Sequence, residues 1–318
     1  MKIPNELKKL EGYFVERIKP ILGVETVQIL LIREVLDYTV LRTEETRELN
    51  TIITPLSLEE ESEEIERVIF LGSKQKAVET RYFRSLLNTA ALKYGIKLDE
   101  CYMKDDLCLV CPRCTLFGAV KTEGKEPNIK HRINYSTAFS LLPFSDINSE
   151  FTFNAISDVT TKTGQALGTT YSIKPTSIFI SAISLRSSSW EEFILVLKML
   201  LAAKDYGAET RVRGSIRNIP IAIIGGWEEV ITPLELTIKL YDQSKDTKFI
   251  TSEMVEKTIA EYSKKAGFGD KIINITGDEL EALLEKVSSF EISKEFLESM
   301  LKASKDFKDD QKKRDKDS

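Results

Sequence analysis

Cys108-Leu109-Val110-Cys111-Pro112-Arg113-Cys114-Thr115-Leu116-Phe117-Gly118 places three thiols at three-residue intervals in a chain of 318 residues that has four cysteines in all. Thiols spaced in this way converge on one ion after a tight turn. Zinc takes four ligands, usually thiolate sulfur or imidazole nitrogen. The run therefore supplies Cys108, Cys111 and Cys114 and needs a fourth. Cys101 lies seven residues upstream, and His131 is the single histidine of the chain. Ligand chemistry admits both, and proximity favours Cys101. Buried free thiols and disulfides are the alternatives. The opening Met1-Lys2-Ile3-Pro4-Asn5-Glu6 carries charge where a secretory signal has an apolar core. Clustered cysteines in a reducing compartment bind metal more often than they pair. A thiolate-rich set closes the coordination sphere, so a structural zinc is expected.

The segment 98–130 around this run has no helical or strand periodicity, which marks it as an insertion held by metal. Upstream, Leu7, Leu10, Phe14 and Ile18 predict a helix over 4–19. Thr26 to Arg33 predicts a strand, Asp37 to Thr43 an extended stretch, and the polar segment 44–64 irregular chain. Arg67 to Leu71 reads as a strand, and Ser73 as the cap of a helix that Gly95 stops after Tyr94. Downstream, strands are predicted at Ile133 to Leu142 and Thr176 to Leu185, with a hairpin from Phe151 to Ile156 and Thr169 to Ile173. A helix from Trp190 to Lys204 and a strand from Ile219 to Ile224 follow, then helices at 232–243, 252–265, 278–288 and 293–303. The tail 305–318, with six basic and five acidic residues, is expected to be disordered. This order predicts an α+β fold with a βαββαβ core.

Net charge is −5, from 45 basic and 50 acidic residues, and Glu59-Glu60-Glu61-Ser62-Glu63-Glu64 concentrates much of the acid. A weak acidic balance leaves nucleic-acid binding to local patches. No apolar run approaches the roughly 20 residues of a membrane span, so a cytoplasmic protein with no membrane association is expected. Two basic surfaces stand out. Lys74, Arg81 and Arg84 fall on the polar side of the predicted helix. Tyr206-Gly207-Ala208-Glu209-Thr210-Arg211-Val212-Arg213-Gly214-Ser215-Ile216-Arg217-Asn218 alternates arginines with small or apolar residues near glycines. Guanidinium groups match phosphate with paired hydrogen bonds. Asp37, Glu44, Glu45 and Glu48 are the one acidic group near the first strand that a catalytic metal would suit, though surface acids are common. No Ser-His-Asp or Cys-His constellation is present that does not draw on His131, and Gly72-Ser73-Lys74 lacks the preceding glycine of a phosphate loop.

Cys108 to Gly118, the following His131-Arg132-Ile133-Asn134-Tyr135-Ser136-Thr137-Ala138-Phe139-Ser140, the glycine-arginine segment 206–218 and Asp37 to Glu45 together resemble the backbone subunit of the type I-D CRISPR interference complex (Cascade). The resemblance covers about residues 24–245. It implies the RAMP superfamily, with an RRM-like (ferredoxin-like) core over 20–97 and 131–250. It further implies a zinc-binding insertion over 98–130, a thumb-like hairpin over 144–175 and C-terminal helices over 251–304. His131 beside Arg132, at the start of the next strand, matches the family pattern and is taken as the fourth zinc ligand.

The implied function is non-catalytic. Several copies line up along the spacer of a CRISPR RNA, grip its backbone, and present it for pairing with target DNA beside other subunits of the complex. Base pairing then reads the sequence, and the protein contacts phosphates and sugars. Lys74, Arg81, Arg84, Arg211, Arg213 and Arg217 are the candidate RNA contacts, with Lys162 and Lys174 of the thumb added. The competing readings are a metal-dependent endoribonuclease that uses the acids near the first strand, and a zinc-stabilised protein-interaction module.

Overall fold

Thr26-Val27-Gln28-Ile29-Leu30-Leu31 is buried at every position. A strand buried on both faces needs a layer on each side of its sheet. A computed structural model describes residues 2–42, 48–103, 106–121, 127–153, 159–161, 168–207, 214–245, 247 and 249–316, and it supplies both layers. In chain order the strands are β1 (Thr26–Val35), β2 (Thr51–Pro55), β3 (Glu64–Phe70), β4 (Ile133–Tyr135), β5 (Ala138–Ser140), β6 (Asn148–Phe153), β7 (Gly168–Ile173), β8 (Ile178–Arg186), β9 (Ile216–Gly226) and β10 (Ile273–Ile275). The helices are α1 (Gly72–Tyr94), α2 (Pro112–Phe117), α3 (Phe144–Ile147), α4 (Trp190–Ala202), α5 (Pro233–Ser244), α6 (Ser252–Lys265), α7 (Gly277–Ser289) and α8 (Lys294–Lys316). The main sheet runs β10-β9-β1-β8-β5-β3-β2, antiparallel throughout, with β4 also on β8. The architecture is α+β.

Alternation along β1 sends Val27, Ile29 and Leu31 to one face, where they meet Phe83 and Leu87 of α1, Phe193 and Leu197 of α4, Leu283 of α7 and Phe296 of α8. Leu30 faces the other way and joins Ile180, Ala182, Ala222 and Ile224 against Leu236 of α5 and Ile259 of α6. Each of the valine, leucine, isoleucine and phenylalanine side chains, fully buried, contributes about 1.5–3 kcal/mol. Pro220 sits inside β9, where a proline removes a ladder donor; the register with β1 shifts beside it, between Leu30 and Leu31. Ser189 caps α4 by accepting from the Glu192 amide at 3.3 Å. Gly95 ends α1 at φ 64°, a left-handed position suited to glycine.

Four expectations change. The polar stretch 44–64 contains β2, which is pinned because Arg67 on β3 donates to Thr54 Oγ1 at 3.0 Å and to the Leu56 carbonyl at 3.0 Å. The strand expected over 133–142 is split at Ser136 and Thr137 into β4 and β5. The N-terminal segment forms a 3₁₀ helix over Asn5–Tyr13 and ends well short of residue 19. The tail expected to be disordered continues α8 to Lys316. Its charged composition hides one apolar anchor, Phe307, 3% exposed, beside the buried stem of Lys308. The hairpin is present as β6 and β7, which pair from Asn148–Ile173 to Phe153–Gly168. Among the described residues, no helix is long and apolar enough to cross a membrane.

Candidate metal centre and candidate nucleic-acid interface

Two local devices fold the cysteine run into a nest. Tyr102 N–H donates to the Asp106 carbonyl at 2.7 Å, turning Cys101 back towards the run. Pro112 occupies the first turn of α2, placing Cys111 at its cap and Cys114 one turn on. The Sγ atoms then lie 3.5 Å (Cys101–Cys114), 4.0 Å (Cys108–Cys114) and 3.8 Å (Cys101–Cys111) apart. All four ligand atoms fall within 4.8 Å of one another. A tetrahedron of zinc–sulfur bonds of about 2.3 Å separates its sulfurs by about 3.8 Å. The four thiols thus fit a structural zinc. Hydrogen bonds from its three neighbours hold the Cys101 thiol far below its ordinary range, and sharing with the others pushes Cys111 and Cys114 up. Four thiolates cannot coexist at this spacing without a cation, and zinc would supply that charge. Arg113 Nη1 lies 3.7 Å from both Cys101 Sγ and Cys114 Sγ, a second positive partner behind the sulfurs.

Cys101 is the fourth thiol of the nest, and His131, expected as the fourth ligand, lies outside it. Neighbouring residues of an extended chain point to opposite sides. Arg132 takes the inward side, where its guanidinium donates to Glu192 Oε2 at 2.8 Å, to the Ser187 carbonyl at 3.0 Å and to the Thr115 carbonyl at 3.0 Å. His131 is thereby turned outward and exposed, into a groove it shares with Lys76 of α1. Burial, then the charges of Lys76 and Lys130, push the imidazole below its ordinary pKa; burial and then Arg113 lower Lys76.

Helix α8 clamps the insertion. Ser304 Oγ lies 3.2 Å from Thr115 Oγ1, Lys308 Nζ donates to the Pro127 carbonyl at 3.0 Å, and Gln311 donates to the Asn128 carbonyl at 2.7 Å. Phe307 packs with Ile18, Leu109, Cys111, Cys114 and Ile129.

The candidate RNA contacts divide. Lys74 and Arg81 lie on one face of α1, Arg81 exposed. Arg84 turns towards the insertion and donates to the Asp99 carbonyl at 2.6 Å. Arg217, on β9, pairs across the ladder with Glu34 of β1, Nε to Oε2 2.9 Å. Lys174, just after β7, donates to the Asp146 carbonyl at 3.0 Å. Arg211, Arg213 and Lys162 lie outside the described residues, as do Glu44 and Glu45. Asp37 accepts from the Tyr38 amide at 2.8 Å, and Glu48 is exposed. Among the described residues, only the four cysteines gather three or more metal-capable side chains.

Beneath the neck of the glycine-arginine segment lies a polar network. Arg33 Nη1 reaches Glu79 Oε1 and Asn218 Oδ1, each at 2.7 Å. Tyr206 donates to Glu79 at 2.8 Å, and Asn218 donates to the Tyr206 oxygen at 2.8 Å. Burial works against the Arg33 charge, but Glu79, Tyr206 and Tyr135 together outweigh it, so its pKa is raised. Burial also raises Tyr206. The neck itself closes by Tyr206 N–H to the Gly214 carbonyl at 3.1 Å. A Cβ at Gly214 would stand 2.4 Å from Gly207 Cα. The network ties α1 to the segment that carries Arg211 and Arg213.

The family model for Csc2 CRISPR proteins matches residues 13–301. This chain belongs to the Csc2 family. Its fold is similar to that in the crystal structure of Thermofilum pendens Csc2, with a TM-score of 0.65 at 18% identity, covering 97% of this chain and 96% of that one. A chain of a CRISPR RNA-guided surveillance complex matches with a TM-score of 0.49 and 12% identity, over 78% of this chain and 87% of the other. No curated protein matches in sequence.

Three features of this Csc2-family chain go beyond what its sequence predicts. Arg113 behind the sulfurs was visible only as one residue of Cys-Pro-Arg-Cys. Arg33 and Glu79 had a signal: a charge in the apolar run of β1, and an acid four residues before Phe83 on the apolar face of α1. The groove between α1 and the insertion had none, since its walls are far apart in sequence.

Proposed function

We propose that this chain is a non-catalytic, CRISPR RNA-binding backbone subunit of a type I-D interference complex. Copies of it assemble along the guide spacer and present the guide for pairing with target DNA. The observation that carries the reading is membership of the Csc2 CRISPR family over residues 13–301. The order of elements supports it. Strands β9-β1-β8-β5 with helices α1 and α4 on one face follow the order of a βαββαβ, RRM-like unit, a fold suited to RNA. The insertion around Cys101, Cys108, Cys111 and Cys114 is the zinc-binding element, and β6–β7 the thumb.

The guide backbone runs past Lys74 and Arg81 of α1 and the Arg211/Arg213 segment, joined by Lys162 and Lys174 of the thumb. Arg84, Arg217 and Lys174 each also bond within the chain and would exchange those bonds for phosphate. A subunit that serves every spacer must touch phosphate and sugar rather than base edges. Its charge of −5 suffices because many copies sum their contacts along one strand. Recovery of the native complex and sequencing of its RNA tests the reading. Repeat-derived guides are expected, and their absence refutes it. The non-catalytic role predicts intact RNA after incubation with magnesium or manganese.

A further inference from the structure

We propose that the cysteine nest is also an oxidation site, at which a peroxide links Cys108 to Cys114, releases the metal and opens the insertion. The inference is independent of the guide-binding reading and concerns the four thiols that fit zinc. The chain has no other cysteine, so every thiol it can lose belongs to the nest.

The four sulfurs are not equivalent. Cys111 and Cys114 are 3% and 0% exposed. Cys101 and Cys114 both accept from Arg113 Nη1 at 3.7 Å. A donor aimed at a sulfur engages one of its lone pairs and stands between it and an oxidant. Cys108 is half-buried, and the bonds of Arg113 go to the other two sulfurs. Oxidation follows exposure and thiolate character, so Cys108 reacts first. Its thiolate attacks one oxygen of hydrogen peroxide, giving a sulfenic acid and a hydroxide. Cys114 Sγ, 4.0 Å away, then attacks the Cys108 sulfur as a thiolate. The S–S bond forms and a second hydroxide departs. Two thiolates lose two electrons, and one peroxide takes them up as two hydroxides.

Two features turn this reaction into an opening. Four thiolates around a divalent ion leave a net negative charge, and Arg113, 5% exposed, is its counter-charge. Among the described residues no carboxylate pairs with Arg113; its bonds go to sulfur. A disulfide removes two of the four ligands, and the two that remain cannot close a tetrahedron. Release of the metal then leaves Arg113 a buried cation without its anion, which is strongly unfavourable. Independently, Leu109, between Cys108 and Cys111, sits at φ 60°. A leucine holds that left-handed conformation only where its surroundings impose it. Loss of the ligand set lets this turn relax. Phe307 of α8 packs on Cys111 and Cys114, so the end of α8 feels the change first.

The test uses the full-length protein loaded with zinc and titrated with hydrogen peroxide. Zinc release is followed with a colorimetric dye, free thiols are counted, and disulfides are mapped by mass spectrometry at each step. Thiols should fall from four to two as zinc is released, with Cys108–Cys114 as the first linkage. Dithiothreitol with added zinc should restore the starting state. Trypsin should begin to cut within residues 305–316 as the zinc leaves. Arg113→Met should weaken zinc retention against a chelator about tenfold and bring Cys101 into the disulfides. The map is read on the unaltered chain, so it decides the matter even where that variant fails to fold. Four intact thiols in excess peroxide overturn the site. A first linkage that omits Cys108 overturns its role as the reacting thiol. Sulfonic acid without a disulfide overturns a reversible link. An unchanged trypsin pattern after zinc release overturns the opening.

Discussion

Arg33 and Glu79 form an ion pair with both side chains fully buried, Nη1 to Oε1 2.7 Å, at the point where β1, α1 and the Tyr206 neck meet. Two charges taken out of water lose more hydration than their attraction alone returns, so such a pair persists where hydrogen bonds complete it. Asn218 and Tyr206 do so only in part here, at Arg33 Nη1 and Glu79 Oε1, while Arg33 Nε and Nη2 and Glu79 Oε2 are buried without a partner among the described residues. Removing one partner leaves the other charged and alone. Glu79→Ala should therefore lower unfolding stability by about 3–5 kcal/mol, read by urea denaturation. Arg33→Met combined with Glu79→Leu should cost much less than the sum of the single changes. Additive losses would mean that the two side chains are not coupled.

The cysteine nest predicts a ligand set. Purified protein should carry one zinc per chain by elemental analysis. Cys101→Ser should lower that content sharply, and His131→Ala should leave it unchanged. The reverse pattern would restore His131 to the site. Thiolates, not thiols, bind the metal, so protons compete with it. The hydrogen bond with Cys101 pushes the Cys108 thiol up, but those with Cys111 and Cys114 outweigh it and hold the thiol down, to about 7. Zinc retention should accordingly fall as pH is lowered, with chelator release measured by a colorimetric zinc dye.

Helix α8 predicts the cost of losing the C-terminal segment. Lys308, 2% exposed, reaches the Pro127 carbonyl, and Phe307 packs on the same insertion. Ending the chain at Ala303 should expose the insertion to limited proteolysis and speed zinc loss. Phe307→Ala alone should destabilise by about 3–5 kcal/mol, seen as a lower thermal midpoint. An unchanged digestion pattern would show that the helix only rests on the surface.

What was legible follows from what each interaction needs. The continuous apolar run of β1, the capping serine of α4 and the glycine stop of α1 are local, and the strings of residues that make them are contiguous. Segment β2 was not legible. Its Ile52 and Ile53 are exposed, and it is held as an edge strand by Arg67, thirteen residues from Thr54. The end of helix α8 was hidden too, because Lys305 to Ser318 carries almost no apolar residues. Phe307 and the buried stem of Lys308 dock it, with Gln311 bonded to the Asn128 carbonyl and Asp310 paired with Arg17. At the site, cysteine spacing points to three ligands outright. The choice between Cys101 and His131 turns on which way Arg132 points, and that depends on Glu192, sixty residues away.

The basic face of α1 gives the last prediction. Lys74 and Arg81 are seven residues apart, two helical turns, so their side chains leave the helix in nearly one direction. Two cations aligned along a helix suit successive phosphates of one strand. Substituting both with alanine should weaken single-stranded RNA binding for all sequences alike. Every cation–phosphate pair that the substitution abolishes takes with it a share of counterion release, about 0.7 per pair for a single strand. The slope of log affinity against log salt should thus flatten by about 1.4. A weakening confined to particular sequences would point to base readout and would count against a subunit that accepts any spacer. A weaker affinity with an unchanged slope would mean that the substitution disturbs the fold, which circular dichroism of the same sample would reveal.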